Sequence, residues 1–502
     1  MSPDSASVSD SGSVPDSPSQ PDPQGWWLLL AAIAAYLLAF AVYYPPTHAI
    51  EDEVGFLNMS LAWSRGALTE EGAGLGHLAD FDPGPHGRAG WRNPGRPLVT
   101  VPFWWLGGYR ATFAAGALIH VALTLAAACA LRALGRSAGW ALLVLLHPTL
   151  ILYSRAVMSD ELGGLGVAAA LWLLLRRRPL LAGLALGLGC AARYQVAVLV
   201  PFLAAVLLRH DGRRGAAAFL AGVGVWGLAL VGYDVYALGH PLGPTRQGFF
   251  ALAHLPRNLV HYGLALGLLW PGMLLAPFAW LGWSASGRAR GAPLEARRAV
   301  ALLIAAALPL PALLLVYYWF DQDPQGRLYV DLVVGQRLLQ PVLAAWVLLY
   351  AAGVAALWPA RRAGALRGLA VAVALGGSLA GAALQAKHQR HLAAYAAARA
   401  EVEARVPAGA LLLCNRTLGK LFEVPTTGPD YRLRSYEFHG RLLDHEQEQA
   451  AREPGTWFLA HLAKADGAPP PPAFATCLAR HPGARLVLRD ARLVLYAVPP
   501  PR

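Results

Sequence analysis

The sequence predicts an α-helical polytopic membrane protein of about eleven spans, with a small extracytoplasmic α/β domain at its C-terminal end. Three observations predict the helical membrane class. Only 14% of the 502 residues are charged and 56% are hydrophobic, where soluble proteins carry about 25% charged residues. Apolar runs of spanning or near-spanning length recur between residues 26 and 385. Arginines gather in alternate connections between those runs. The same balance excludes a soluble enzyme, a disordered chain and, with four cysteines in 502 residues, a disulfide scaffold. The net charge of +12 is no nucleic-acid footprint, because its basic residues are scattered between apolar runs.

Residues 1–25 are rich in Ser, Pro, Asp and Gln and read as a disordered tail, without the basic n-region and cleavage site of a signal peptide. The transmembrane part, 26–385, holds runs at 26–44, 110–131, 138–153, 160–175, 180–192, 194–208, 215–237, 259–283, 299–319, 337–357 and 368–385. With the N-terminus inside and one crossing per run, fifteen arginines fall in inner connections: Arg132, Arg136, Arg176, Arg177, Arg178, Arg209, Arg213, Arg214, Arg288, Arg290, Arg297, Arg298, Arg361, Arg362 and Arg367. The outer connections after the second run hold six, namely Arg155, Arg193, Arg246, Arg257, Arg327 and Arg337. That asymmetry is the positive-inside bias. It also separates 180–192 from 194–208 at Arg193, since a merged helix would put Arg176–Arg178 and Arg209–Arg214 on opposite sides. The expectation is an integral protein of the plasma (inner) membrane with a cytoplasmic N-terminus and an extracytoplasmic C-terminal domain.

Two large outer regions follow from this topology. In the first, 45–109, Val54, Leu57 and Leu61 recur at helical spacing, as do Phe56 and Trp63, which predicts a short helix on the membrane surface. Gly72 to Gly95 reads as irregular loop. Pro97–Gly107 is apolar but too short to cross, and is expected to re-enter the membrane. The second region, 386–502, carries all three lysines, Lys387, Lys420 and Lys464. Ala410–Cys414, Thr456–Ala460, Arg485–Arg489 and Leu493–Val498 read as strands, His388–Val406 as a helix and Asp490-Ala491 as a tight turn. Cys414 and Cys477 stand either as a pair or as free thiols.

The acids are sparse and placed to one side. Of fifteen between Trp26 and Gln385, only Asp211 and Glu295 fall inside. Two clusters sit at the outer boundary, Glu51-Asp52-Glu53 and Asp160-Glu161, where an ionised carboxylate needs solvent or a partner. Arg155, Arg193 and Arg337 lie at the same level, Arg193 in the hairpin Cys190-Ala191-Ala192-Arg193-Tyr194. The planar guanidinium fork suits a phosphate, and a nearby carboxylate suits a proton leaving a hydroxyl. The plainer readings are helix N-capping for the acids, with Ser159 capping Asp160-Glu161, and headgroup-level placement for the arginines. Asp80-Phe81-Asp82 and Asp321-Gln322-Asp323 read as solvated loops rather than metal sites, and His48 and His86 as exposed loop histidines. The sequence holds no phosphate-cradling Gly-x-x-x-x-Gly-Lys, no Cys-x-x-Cys pair and no His-Glu-x-x-His.

Four local features together resemble the GT-C glycosyltransferases, the polyprenol-phosphate-sugar-dependent membrane enzymes that include protein O-mannosyltransferases and the lipid A aminoarabinose transferase. They are Asp52-Glu53 opening the first outer loop, the stretch from His147-Pro148-Thr149 to Asp160-Glu161, the Gly-rich short helix from Gly183 through Arg193 to Pro201, and Gly335-Gln336-Arg337-Leu338-Leu339-Gln340-Pro341 entering a late span. The resemblance implies an inverting hexosyl- or pentosyltransferase that moves a sugar from a polyprenyl-phosphate donor to a protein, lipid or glycan acceptor on the outer face of the bilayer. It implies Asp52 as general base with Glu53 as its partner. Arg193, Arg155, Arg337 and Tyr194 would hold the donor phosphate, with Asp160 and Glu161 as accessory acids. No nucleic acid and no cofactor are expected, a divalent metal staying open. The chain departs from the family at Asn93-Pro94-Gly95-Arg96-Pro97-Leu98, where many relatives have a Pro-Pro-Leu element. The alternative reading is a transporter or flippase for a lipid-linked or anionic substrate.

Overall fold

The computed structural model describes residues 22–69, 81–90, 92–241, 250–269, 276–285, 291–317, 336–356, 360–424, 431–438, 441–452, 454–463 and 469–500. The first 21 residues and Asp80, Asp321 and Asp323 lie outside the described residues.

Helix α1, Pro23–Val42, opens the bundle. Proline at its first position needs no N–H partner there, and Asp22 caps it by accepting the N–H of Gly25 at 3.1 Å. Helices α2 (Glu51–Ser64), α3 (Gly95–Ala111) and α4 (Ala114–Ala133) follow, with a two-stranded hairpin, β1 (Phe81–Gly84) and β2 (Gly87–Gly90), between α2 and α3. The hairpin corrects the irregular loop expected there; Gly87, at φ 114°, supplies the backbone conformation its tight turn needs. Helix α2 is also more buried than a membrane-surface helix. Val54, Phe56 and Leu57 pack with Phe113, Val157 and Val424, and Asn58 donates to the carbonyl of Glu423 at 3.0 Å. The exposed apolar face belongs instead to α3, where Trp105 and Leu106 are 68% and 81% exposed.

Run 138–153 is not one helix. It divides into a 3-10 turn (138–141), α5 (Leu142–Leu145) and α6 (Pro148–Tyr153), because Pro148 lacks an N–H and starts a new helix capped by His147. Helices α7 (Asp160–Leu175) and α8 (Pro179–Ala192) pack through a close glycine contact: a Cβ on Gly166 would lie 2.6 Å from the Cα of Gly189. Arg193 then leaves the helix in extended conformation, φ −151° and ψ 107°. A 3-10 turn (194–198) leads into α9 (Leu199–His210). Arg177, just before α8, lies 3.1 Å from Asp211, just after α9. The two short helices therefore return to the same end and form a hairpin, as the arginine count required.

Helix α10, Gly212–Leu238, follows. The later apolar segments are Leu255–Leu269, Ala276–Ala285, Leu294–Ala307, Pro309–Leu314, Gln340–Ala356 and Ala360–Arg405. Among the described residues, six helical stretches are long and apolar enough to cross a membrane. The last span and the helix expected over 388–406 are one 46-residue helix, since the Ala-rich stretch between them holds no proline to stop it.

The C-terminal part is a five-stranded sheet ordered β4-β3-β7-β9-β8, from β3 (Leu411–Cys414), β4 (Arg432–Ser435), β7 (Trp457–Leu462), β8 (Arg485–Arg489) and β9 (Leu493–Val498). The short pair β5 (Glu437–Phe438) and β6 (Arg441–Leu442) lies beside it. Strand β3 is parallel to β4 and β7, and β9 is antiparallel to β7 and β8. The Asp490 carboxylate accepts the N–H groups of Arg492 and Leu493, both at 2.7 Å, and closes the last hairpin. Cys414 packs with Leu392 and Leu418 on one face, Cys477 with Trp457 and Phe474 on the other, and both are free thiols.

Charge is concentrated at two ends of the bundle. At one, the Arg298 fork grips both oxygens of Asp211 at 2.7 and 2.6 Å, and Arg177 pairs with Asp211 and Glu295. Those two acids are the ones assigned to the inner side. The opposite end lies about 24 Å away along the sixteen residues of α7, and holds the second cluster.

Candidate active site

The second cluster is an alternating chain of ion pairs. Arg92 Nη2 lies 2.7 Å from Asp52 Oδ1, and Arg337 Nη1 lies 3.1 Å from Asp52 Oδ2. Arg337 Nε reaches toward Asp160 Oδ2 at 3.8 Å, and Arg193 Nη1 pairs with Asp160 Oδ1. Three arginines and two aspartates leave one positive charge in excess. Exposure falls from Asp52 to Asp160: Asp52 is 22% exposed, Arg337 10% and Asp160 0%. The site is open at Asp52 and dry at Asp160.

Each member is placed by a different element. Asp52 is in the first turn of α2, where acids favour the helix N-terminus. Asp160 starts α7 after Ser159, which occupies the cap position without a side-chain capping bond. Arg193 sits at the break between α8 and the 3-10 turn, and Arg337 in the 3-10 turn 336–339. Arg92 comes from the end of the first loop, pinned where Asn93 donates to the carbonyl of Ala192 at 2.9 Å. Gly95 makes that approach sterically feasible, since a Cβ there would lie 2.5 Å from the backbone nitrogen of Ala192. Burial by itself would raise the Asp52 carboxyl. The guanidiniums of Arg337, Arg92 and Arg193 outweigh it and hold the group below the usual carboxylate range.

The other expected residues lie beside this chain rather than in it. Glu53 is 2% exposed. Its carboxylate accepts the N–H groups of Ala49 at 3.0 Å, Ile50 at 2.9 Å and Val157 at 2.9 Å, which staples the first loop to the segment before α7. Burial pushes its carboxyl up against those three bonds. Arg155 is 1% exposed and joins the end of α1 to the long helix, donating to the carbonyls of Tyr43 at 2.6 Å and Gln385 at 3.0 Å and to Gln389. Tyr194 is 40% exposed, outside the ion-pair chain. Glu161 is 3% exposed, with Oε1 3.5 Å from Nδ1 of His120. His120 Nε2 bonds the carbonyl of Leu145 at 2.9 Å, so Nε2 carries a proton and Nδ1 faces the acid.

Three residues here were not singled out from the sequence: Arg92, Arg96 and His120. Arg96 is 1% exposed, and its Nε and Nη2 have no hydrogen-bond partner among the described residues. The signal for the two arginines was their spacing of four around Asn93-Pro94-Gly95. His48 is not an exposed loop histidine. It is 1% exposed and bonded through Nδ1 to the Tyr109 hydroxyl at 2.6 Å and through Nε2 to the carbonyl of Lys420 at 2.7 Å. Burial pushes its pKa down to about 3. His86 stacks on Tyr236 with ring centroids 4.4 Å apart. Among the described residues, no three His, Cys, Asp or Glu side chains converge to hold a metal ion.

No family model matches the chain, and no curated protein matches it in sequence. Among solved structures, ArnT from Cupriavidus metallidurans in the apo state is similar at a TM-score of 0.52 and 15% identity, over 95% of this chain and 98% of that one. The arabinofuranosyltransferase AftD from Mycobacteria is similar at a TM-score of 0.51 and 15% identity, over 95% of this chain and 42% of AftD. The fold that the GT-C resemblance implied is therefore the fold of this chain: a helical membrane protein with a small C-terminal sheet.

Proposed function

We propose that this protein is an inverting glycosyltransferase that takes a sugar from a polyprenyl-phosphate donor and places it on an acceptor at the outer face of the membrane. The observation that carries the reading is the ion-pair chain Arg92–Asp52–Arg337–Asp160–Arg193 at one end of a bundle whose fold matches ArnT and AftD. An excess guanidinium charge in a partly dry cleft recruits an anion, and its fork geometry matches phosphate.

The acceptor hydroxyl attacks the anomeric carbon from the side opposite the phosphate. The C–O bond to the phosphate breaks with its electron pair going to the phosphate oxygen, a C–O bond to the acceptor forms, and Asp52 takes the hydroxyl proton. Arg337 and Arg193 stabilise the charge growing on the leaving phosphate. Without donor, Asp52 is clamped between two guanidiniums and is a poor base. Phosphate oxygens compete for those same guanidiniums, and as they take them Asp52 becomes more basic. Asp160, dry and paired to both Arg337 and Arg193, keeps the two forks in place. Glu53 and Arg155 support the site through the backbone.

The test is Asp52→Asn, assayed in membranes carrying a labelled polyprenyl-phosphate sugar. Transfer is expected to fall by a factor of about a hundred or more, the range seen for loss of a general base. Undiminished transfer by correctly inserted protein removes Asp52 from the reaction.

A further inference from the structure

A cavity of about 700 Å³ opens far from the charged site. Its walls are apolar, with Leu28, Leu143, Val371 and Leu375 among them, and Arg136, Arg367 and the indole of Trp140 also line it. It lies at the N-terminal end of α1: Leu28 comes from that helix, and Asp22 just before it accepts the N–H of Ala138 at 2.8 Å. The other end of α1 is held by Arg155 near Glu53 and the ion-pair chain. Twenty helical residues separate the two ends, about 30 Å, which places cavity and active site in opposite leaflets.

The two arginines are the informative part. Among the described residues, no acid lines the cavity. Asp22, the nearest acid in sequence to its wall, is engaged by Gly25, Ala138 and Arg132. Arg136 and Arg367 repel one another electrostatically, and the buried Nε of Arg136 has no hydrogen-bond partner among the described residues. Two like charges beside an apolar groove match an anionic headgroup with attached acyl chains, and basic pockets between membrane helices bind such headgroups. Trp140 is of the type that settles at headgroup level.

We propose that this groove is a binding site for an anionic phospholipid of the leaflet opposite the active site, with its phosphate bridging Arg136 and Arg367 and an acyl chain in the apolar cavity. The inference is independent of the transferase reading. The full chain is reconstituted in bilayers of mixed phosphatidylglycerol and phosphatidylcholine, extracted and weighed by native mass spectrometry. Wild type is expected to retain phosphatidylglycerol at least tenfold over phosphatidylcholine. The double variant Arg136→Gln/Arg367→Gln is expected to lose that preference. Ala374→Trp, which fills the groove and leaves both arginines, is expected to lose the bound lipid. Equal retention of the two lipids by wild type overturns the proposal, and that measurement stands even if a variant does not fold. Retention by folded Ala374→Trp, or an unchanged preference in the arginine variant, also overturns it.

Discussion

Arg337 is the shared member of the ion-pair chain, so Arg337→Gln is the most informative single change. Its guanidinium lies 3.1 Å from one Asp52 oxygen and 3.8 Å from one Asp160 oxygen. At the effective dielectric of protein sites, each such contact is worth about 4 kcal/mol before desolvation is subtracted. Truncating one partner of a buried pair costs about 3–5 kcal/mol, mostly from the orphaned charge. Here the low end applies, about 3 kcal/mol, because Arg193 still faces Asp160 and Arg92 still faces Asp52. In the proposed reaction, losing Arg337 as one preorganised donor to the leaving phosphate is expected to lower turnover about 10²–10³-fold. Thermal unfolding of detergent-purified protein reads the first quantity, and transfer from a labelled polyprenyl-phosphate sugar the second. Adding Asp160→Asn to Arg337→Gln takes the carboxylate from Arg193 in turn. It is expected to lower stability further and to restore none of the transfer. Transfer by Arg337→Gln within threefold of wild type, or a double variant as stable as wild type, refutes the reasoning.

Three further outcomes are expected. The Asp52 carboxyl is held low by its guanidiniums, so its share of stability is present above the ordinary carboxylate pKa and lost as pH falls through the depressed one. The acid limb of kcat/KM is expected below about pH 4, and that of kcat at saturating donor at higher pH; coincident limbs would refute the exchange. Gly95→Val drives a side chain into the backbone at Ala192 and is expected to destabilise the fold by the overpacking cost of about 1–3 kcal/mol, read as a lower unfolding temperature; an unchanged melting curve would show that the loop does not rest there. His48, with its pKa pushed down to about 3, is neutral in the fold and protonated when unfolded below about pH 6.5. Stability from this group is full above that pH and falls by roughly 1.4 kcal/mol per unit as pH drops toward 3. His48→Asn is expected to flatten that slope in unfolding measured between pH 4 and 7.

Elements whose ends are marked by local chemistry were legible in the sequence. Helix α7 spans the residues read from its apolar run because Asp160-Glu161 opens it and Arg176 follows it. Strands β8 and β9 match because Asp490 encodes the turn between them. The site was legible in part for the same reason: a charged residue at a helix end stands out in an apolar chain. What could not be read is which way such a side chain turns. Asp52 and Glu53 are adjacent, yet one faces two guanidiniums and the other three backbone N–H groups. Arg155 and Arg193 both sit at helix ends, and only Arg193 reaches an acid of the cluster. Those differences arise from packing between segments distant in sequence, which no local period records. Arg92 was missed because it lies in a loop without periodicity, and its position depends on Gly95 fitting against Ala192.

The gradient of exposure along the chain gives its members unequal work. Asp160 is fully buried and contacts two arginines, so it cannot exchange partners without leaving a charge in a dry site, an arrangement costing several kcal/mol. Asp52 is partly open to solvent and can give up a guanidinium at far lower cost, because water takes its place. In the proposed reaction an incoming donor phosphate therefore draws Arg337 and Arg92 from Asp52, while Arg193 meets it without leaving Asp160. Donor binding and activation of the base then become one event. An acceptor arriving first would meet a carboxylate still neutralised by two arginines, so the charge pattern itself disfavours reaction without donor in place.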